Sequence, residues 1–149
     1  MLSTESNVLG ITGEDLYREF LFNLKNPKTR IIKTISWDDN TALFGKPTLC
    51  LLGPKDKSLK EMPKRLRVCI NKKYTKTSKK FLSRLEDGGF TFEKLYLSGA
   101  TEEAFVNNLA DIVIDIIYSG KSAEKAGLRV YERIFSSDIV IIGGENAKI

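Results

Sequence analysis

Short continuous runs of β-branched and other apolar residues alternate along the chain with stretches in which apolar positions recur every three or four residues. That alternation is the pattern of βαβ units packed into a mostly parallel sheet, so the predicted fold class is α/β. The first strand is predicted over residues 8–11 and begins almost at the first residue. Thr12-Gly13-Glu14-Asp15 then reads as a helix start, with Thr12 as N-cap and acids in the first turn. Leu16, Phe20 and Leu24 give that helix its core face, and Asn26-Pro27 stops it.

Strands follow over 30–35 and 48–52, separated by a polar stretch around Trp37-Asp38-Asp39-Asn40, and Gly53-Pro54 with the lysines after it reads as a surface connection. A strand over 66–70 runs into a helix carrying Tyr74, Phe81, Leu82 and Leu85 on one face. Gly88-Gly89 ends that helix, one of the two in the left-handed C′ conformation. The rest of the chain reads as a strand (92–97), a helix (102–109), a buried strand (112–117), a short helix after Ser119 that closes at Gly127, and two strands (128–134 and 139–142). No internal repeat or low-complexity segment interrupts this order.

Composition narrows the chemistry. The chain has 149 residues, 42% hydrophobic and 29% charged, with 2 Cys and 0 His. That is one globular domain or two small lobes. Without histidine there is no His general base, no Ser-His or Cys-His nucleophile pair and no mixed Cys/His zinc site, so no metal site is expected. Cys50 and Cys69 lie inside apolar runs, where a thiol behaves as a small hydrophobe, and two isolated cysteines fit a reducing compartment. The N-terminus has no basic region followed by an apolar stretch, and the longest apolar run, 112–117, is broken by Asp115. A soluble, cytoplasmic protein with no membrane partner is expected.

The net charge of +5 is unevenly placed: residues 55–80 carry eleven basic side chains against the acids Asp56 and Glu61. This basic stretch reads either as a solvated face around an amphipathic helix or as the neighbourhood of an anionic ligand. Tyr74 is its one aromatic residue and no nucleic-acid motif is present, so nucleic acid is not the expected partner.

The segment with the most chemistry is Asp115-Ile116-Ile117-Tyr118-Ser119-Gly120-Lys121-Ser122, a buried strand that breaks into a turn and opens a helix. Backbone N–H groups at such a turn, with Lys121 and the hydroxyls of Ser119 and Ser122, make a phosphate cradle; the plainer reading is a helix N-cap. A P-loop is excluded because Asp115 stands where the Walker motif needs glycine. Asp115 near the C-terminal end of its strand faces the crevice in which open α/β sheets bind ligands, where it could hold ribose hydroxyls or a metal-bound phosphate; the plainer reading is a paired acid at a strand end. Leu97-Ser98-Gly99-Ala100-Thr101-Glu102 and Gly10-Ile11-Thr12-Gly13 are two further turns from strand to helix, and three such turns predict a crevice for a phosphorylated ligand.

At these turns the chain resembles the ATP phosphoribosyltransferase family, which opens histidine biosynthesis. The resemblance is carried by Gly10-Ile11-Thr12-Gly13 with Asp15, by Phe44-Gly45 with Leu49, by Lys73-Tyr74, and by Leu97, Ser98, Gly99 and Glu102. The most specific part is Leu109-Ala110-Asp111, Asp115, Ser119-Gly120, Ser122 and Gly127-Leu128. It covers nearly the whole chain in order and spacing. Departures are Pro47 where the family commonly has cysteine, Thr75 for proline, Tyr118 for an acid, Lys121 in the hydroxyl-rich turn, and no upstream strand with a Lys-Gly-Arg turn.

The resemblance implies a two-lobed α/β fold like the type II periplasmic binding proteins, with a shortened first lobe (1–46 plus 130–149) and a second lobe (47–129). It implies transfer of phosphoribosyl from phosphoribosyl pyrophosphate to N1 of ATP, with Mg2+ accompanying the pyrophosphate. Ser119, Gly120, Lys121 and Ser122 would cradle the 5-phosphate and Asp115 the ribose, supported by Ser98, Gly99, Glu102, Asp111 and Gly13. Catalysis would rest on positioning and charge stabilisation rather than a covalent nucleophile, and no residue is singled out as catalytic. A second copy or second subunit is the expected protein partner. The alternative is a non-catalytic relative that binds a phosphorylated metabolite or nucleotide and regulates or partners another protein.

Overall fold

The computed structural model describes residues 9–22 and 29–144. Expectations for Val8, Leu24, Asn26 and Pro27 lie outside these residues. Five strands, β3 (Thr48–Pro54), β4 (Arg65–Asn71), β5 (Thr91–Leu97), β6 (Ile112–Ile117) and β7 (Leu128–Ser136), form one sheet in the order β5-β4-β6-β3-β7. A smaller sheet has the order β1-β8-β2, from β1 (Leu9–Gly13), β2 (Thr29–Ile35) and β8 (Ile139–Gly144).

The large sheet is mixed rather than mostly parallel. β4 runs parallel to β5 and β6, whereas β3 is antiparallel to β6 and β7, and both pairings of the small sheet are antiparallel. Parallel pairs arise where a helix carries the chain back: α2 (Thr75–Asp87) between β4 and β5, and α3 (Thr101–Val106) between β5 and β6. β3 instead enters from the small sheet through a connection without a helix, so no βαβ crossover fixes its direction.

Side-chain alternation along β3, β4 and β6 fills a core on each face of the large sheet. Leu49, Leu51, Val68, Ile70, Ile112 and Ile114 meet Phe81 and Leu82 of α2 on one side. Cys50, Leu52, Cys69 and Val113 meet Ala104 of α3 and Ala123 of α4 (Lys121–Lys125) on the other. Strands covered on both faces read as continuous apolar runs, which is why the sequence shows them plainly. Ile114 is completely buried, and truncating it to Ala would cost about 2–5 kcal/mol. Burial raises the free thiols of Cys50 and Cys69 to about 12 and about 11, so both act as apolar filling and not as nucleophiles.

Residues 130–136, expected with the first lobe, continue β7 along β3 as far as the pair Thr48↔Ser136. The chain changes sheet at Ser137, whose amide donates to the Pro47 carbonyl at 2.8 Å. Ser137 and Asp138 also shape the start of α1 (Glu14–Phe22): the Glu14 amide donates to the Asp138 carbonyl and the Asp15 amide to Ser137 Oγ at 3.2 Å, in the place expected for Thr12. Helix α1 turns Asp15, Tyr17 and Glu19 inward and leaves Leu16 43% exposed, so the predicted stripe through Leu16 is not its buried face. The reason is polar: α1 meets the Tyr74 hydroxyl, which Asp15 accepts, and the free amides at the start of α2, which Glu19 accepts, and leucine could satisfy neither.

Candidate functional site

Because β4, β5 and β6 are parallel, their C-terminal ends share one edge of the sheet, and the three turns into helices meet there. Asp115 stands at that edge. Its Oδ1 accepts from Asn71 Nδ2 at 2.9 Å and from the Ile116 amide at 2.7 Å, and its Oδ2 accepts from Thr101 Oγ1 at 2.5 Å. One carboxylate therefore ties together the turns after β4, β5 and β6. Among the described residues its hydrogen-bond partners are neutral donors and no cation pairs with it.

The turn after β5 and the turn after β6 touch through their own side chains: Ser122 Oγ donates to Glu102 Oε1 at 3.1 Å. Glu102 is half-buried, and burial first, then the nearby charges of Asp115 and Glu103, holds its carboxyl above the usual value. Ser98, Gly99, Ser119, Lys121 and Ser122 are exposed around this contact. Gly120 adopts φ +80°, a left-handed conformation that glycine takes without strain, and this turns the backbone into α4. Ser98, Gly99, Glu102, Asp115, Ser119, Gly120, Lys121 and Ser122 thus lie on the turns that share one edge.

Asp111 is not among them. It precedes β6 at the opposite end of the strand, where its carboxylate accepts from the Arg67 amide at 2.8 Å and from the Arg67 guanidinium at 3.0 and 3.2 Å. The guanidinium beside it lowers the Asp111 carboxyl. This ion pair joins β4 to β6 and sets Asp111 apart from the residues gathered at the other end of the strand.

Gly13 lies with the small sheet, at the end of β1, and its part there is spatial. A Cβ would stand 2.5 Å from Asp15 Oδ1, so only glycine lets that carboxylate fold under the turn. Asp15 accepts from Ser137 Oγ at 2.6 Å and from the Tyr74 hydroxyl at 2.7 Å, which links the two sheets. Burial, then the bond to Asp15, pushes the Tyr74 hydroxyl well above its usual range. Glu19 caps α2 from the same helix, accepting from the amides of Lys76 and Thr77 at 2.7 and 3.0 Å. Tyr74 was expected as a core residue and Asn71 and Thr101 were not singled out; the signal that could have found Glu19 is its spacing four residues after Asp15 on an otherwise amphipathic helix.

A further carboxylate reaches the turn after β6 from the connection between β2 and β3. The Tyr118 hydroxyl donates to Asp39 Oδ2, and the Leu43 amide donates to the Tyr118 carbonyl at 2.7 Å. Hydrogen bonds from the amide and hydroxyl of Thr41 lower the Asp39 carboxyl. A cavity of about 370 Å3 adjoins the turn at Gly120 and is lined on its polar side by Lys55, Glu124 and Arg129. Among the described residues no three His, Cys, Asp or Glu side chains are gathered as a metal ion would need, and no helix is long and apolar enough to cross a membrane.

Comparison with known proteins bears on this edge. The family model described as "HisG: ATP phosphoribosyltransferase" matches residues 2–149. An ATP phosphoribosyltransferase of Dictyoglomus thermophilum is 27% identical over 134 residues, covering 90% of this chain and 56% of that protein. One from Eremothecium gossypii is 24% identical over 143 residues, covering 94% and 44%. The chain spans about half the length of the curated relatives it matches. Among solved structures, a chain of the HisG:HisZ complex of Thermotoga maritima superposes with a TM-score of 0.69 at 20% identity, covering 92% of this chain and 59% of that one. The periplasmic aliphatic sulphonate binding protein SsuA of Escherichia coli superposes with a TM-score of 0.60 at 16% identity, covering 95% and 49%. These likenesses show an α/β fold of the periplasmic-binding-protein kind.

Proposed function

The chain belongs to the ATP phosphoribosyltransferase family, and from that premise we propose that it binds phosphoribosyl pyrophosphate and ATP and transfers the phosphoribosyl group to N1 of the purine. The observation that carries the reading is Asp115, a carboxylate with no cation against it among the described residues, held where three strand-to-helix turns meet. In this proposal Asp115 orients the ribose hydroxyls. Ser119, Gly120, Lys121 and Ser122 surround the 5-phosphate with hydroxyls, amides and one amine. Glu102, Ser98 and Gly99 shape the neighbouring turn, while Gly13 with Asp15 sets the small sheet against it. Asp39 brings a carboxylate beside Tyr118, where the family's acid is replaced.

The bond from ribose C1 to pyrophosphate breaks as the bond to N1 forms. This chain's contribution is to align the two and to stabilise charge on the leaving pyrophosphate, without a covalent intermediate. Asp115 and Glu102 are too few to cage a metal ion by themselves, so Mg2+ would enter on the pyrophosphate as part of the substrate. A second copy or a second subunit belongs to the same proposal, since the Thermotoga maritima structure is a two-component complex.

A second reading is a relative that binds a phosphorylated ligand without turning it over. It is supported by Tyr118 in the place of an acid and by Glu102 and Ser122 satisfying each other. Incubation with phosphoribosyl pyrophosphate, ATP and Mg2+ separates the two. Release of pyrophosphate together with phosphoribosyl-ATP is the result expected of the transferase; binding of phosphoribosyl pyrophosphate without product would favour the second reading.

A further inference from the structure

A second cavity, of about 250 Å3, opens where α1, α2 and β7 meet and shares no lining residue with the turns described above. Helix α1 contributes Arg18 and Phe22, one turn apart; α2 contributes Lys80 and Arg84, also one turn apart; β7 contributes Phe135. Helical spacing puts each pair on one face. Three cations thus share one small cavity, and they are held by rings more than by acids. The Arg18 guanidinium lies 4.3 Å from the Phe135 ring centre, the Lys80 ammonium 5.9 Å from Phe22 and the Arg84 guanidinium 5.3 Å from Phe81.

Ring faces steady a cation without neutralising it. Among the described residues the one ion pair made by these three is Arg84 with Glu132 at 3.4 Å, between side chains 70% and 47% exposed, where screening leaves little of the attraction. Glu19, next to Arg18 on α1, accepts from the amides of Lys76 and Thr77. The lining of the cavity is therefore positive, with three exposed cations set around aromatic rings.

We propose that this cavity binds a small phosphorylated aromatic molecule of about nucleoside monophosphate size, with its phosphate on Arg18, Lys80 and Arg84 and its ring against Phe22 and Phe135. Inorganic phosphate would use the cations and leave the rings idle; an uncharged aromatic would leave three cations without an anion. Thr77 lines the cavity and also donates to Glu19 through its amide and hydroxyl, each at 3.0 Å. A ligand there would bridge the contact between α1 and α2, which sets the small sheet against the large one. The proposal is independent of the phosphoribosyl reading, because it uses none of its residues.

The test is titration of 4-nitrophenyl phosphate into the full chain, into Arg18→Gln/Lys80→Gln and into Asp115→Asn, with inorganic phosphate and 4-nitrophenol as controls. The expected result is one site per chain, at least tenfold weaker binding in the double variant, unchanged binding in Asp115→Asn, and at least tenfold weaker binding of either control. Should the double variant fail to fold, Arg84→Gln, at a largely exposed side chain, is expected to weaken binding several-fold. The proposal is overturned if the probe does not bind, if inorganic phosphate binds as well, or if these variants keep full affinity. It is also overturned if Asp115→Asn abolishes binding, which would assign the probe to the turns after β5 and β6. Failure of phosphoribosyl pyrophosphate to bind would count against the phosphoribosyl reading alone.

Discussion

The two ends of β6 carry an aspartate each, and the fold treats their charges in opposite ways. Asp111, before the strand, is locked to the guanidinium and amide of Arg67. Asp115, near its far end, is held by an amide side chain, a hydroxyl and its neighbour's N–H, with no cation in contact among the described residues. A paired charge is spent on holding strands together; a charge fixed by neutral donors is oriented and still free to act on a ligand. The same asymmetry appears in the lowered carboxyl of Asp111 and the raised carboxyl of Glu102, which belongs to the Asp115 end.

Breaking either end sharpens the contrast. Asp115→Asn should weaken phosphoribosyl pyrophosphate binding by about thirtyfold, or ~2 kcal/mol, the size of a hydrogen bond to a charged group. Its thermal midpoint should stay close to that of the wild type, and calorimetry checks both. Asp111→Ala should do the reverse, costing about 1.5 kcal/mol of stability in urea unfolding for the orphaned Arg67 amide, with the ion pair itself discounted for exposure. Ligand affinity should not change.

Gly120→Ala should cost about 1 kcal/mol because its φ of +80° is left-handed. The new Cβ would stand 3.2 Å from the mobile end of Leu43, which can yield, so thermal unfolding should report the backbone strain alone. The smallest effects are in pH. The lowered Asp111 carboxyl stabilises the fold above its usual value of 3.8, and that contribution is lost as pH falls through the lowered value. Asp111→Asn should therefore flatten the acid limb of the stability curve. Glu102 has the opposite sign: its raised carboxyl disfavours the ionised fold near neutrality and gains stability as pH falls through the raised value. Glu102→Gln should be slightly more stable than wild type at neutral pH and lose that advantage in acid.

What the sequence made legible follows from these particulars. β3, β4 and β6 were readable because each is apolar on both faces, and the turns after β5 and β6 because small residues between a strand and a helix are locally distinctive. The direction of β3 was not readable, since it depends on partners far along the chain and not on its own residues. Asp111 and Asp115 look alike in sequence because the partner that separates them, Arg67, lies 44 residues away. Glu19 was passed over, and Asp15 was read only as a first-turn acid and a match to the family pattern, because periodicity counts apolar positions, while the inward face of α1 is built to satisfy a hydroxyl and helix amides.

The most direct measurement of the central claim is amide chemical-shift mapping of the chain titrated with phosphoribosyl pyrophosphate and Mg2+. The account predicts shifts concentrated at Ser98–Glu102, Asp115 and Ser119–Ser122, with Arg67 and Asp111 at the other end of β6 left unmoved. Shifts centred on Arg67 and Asp111, or none at saturating ligand, would contradict it.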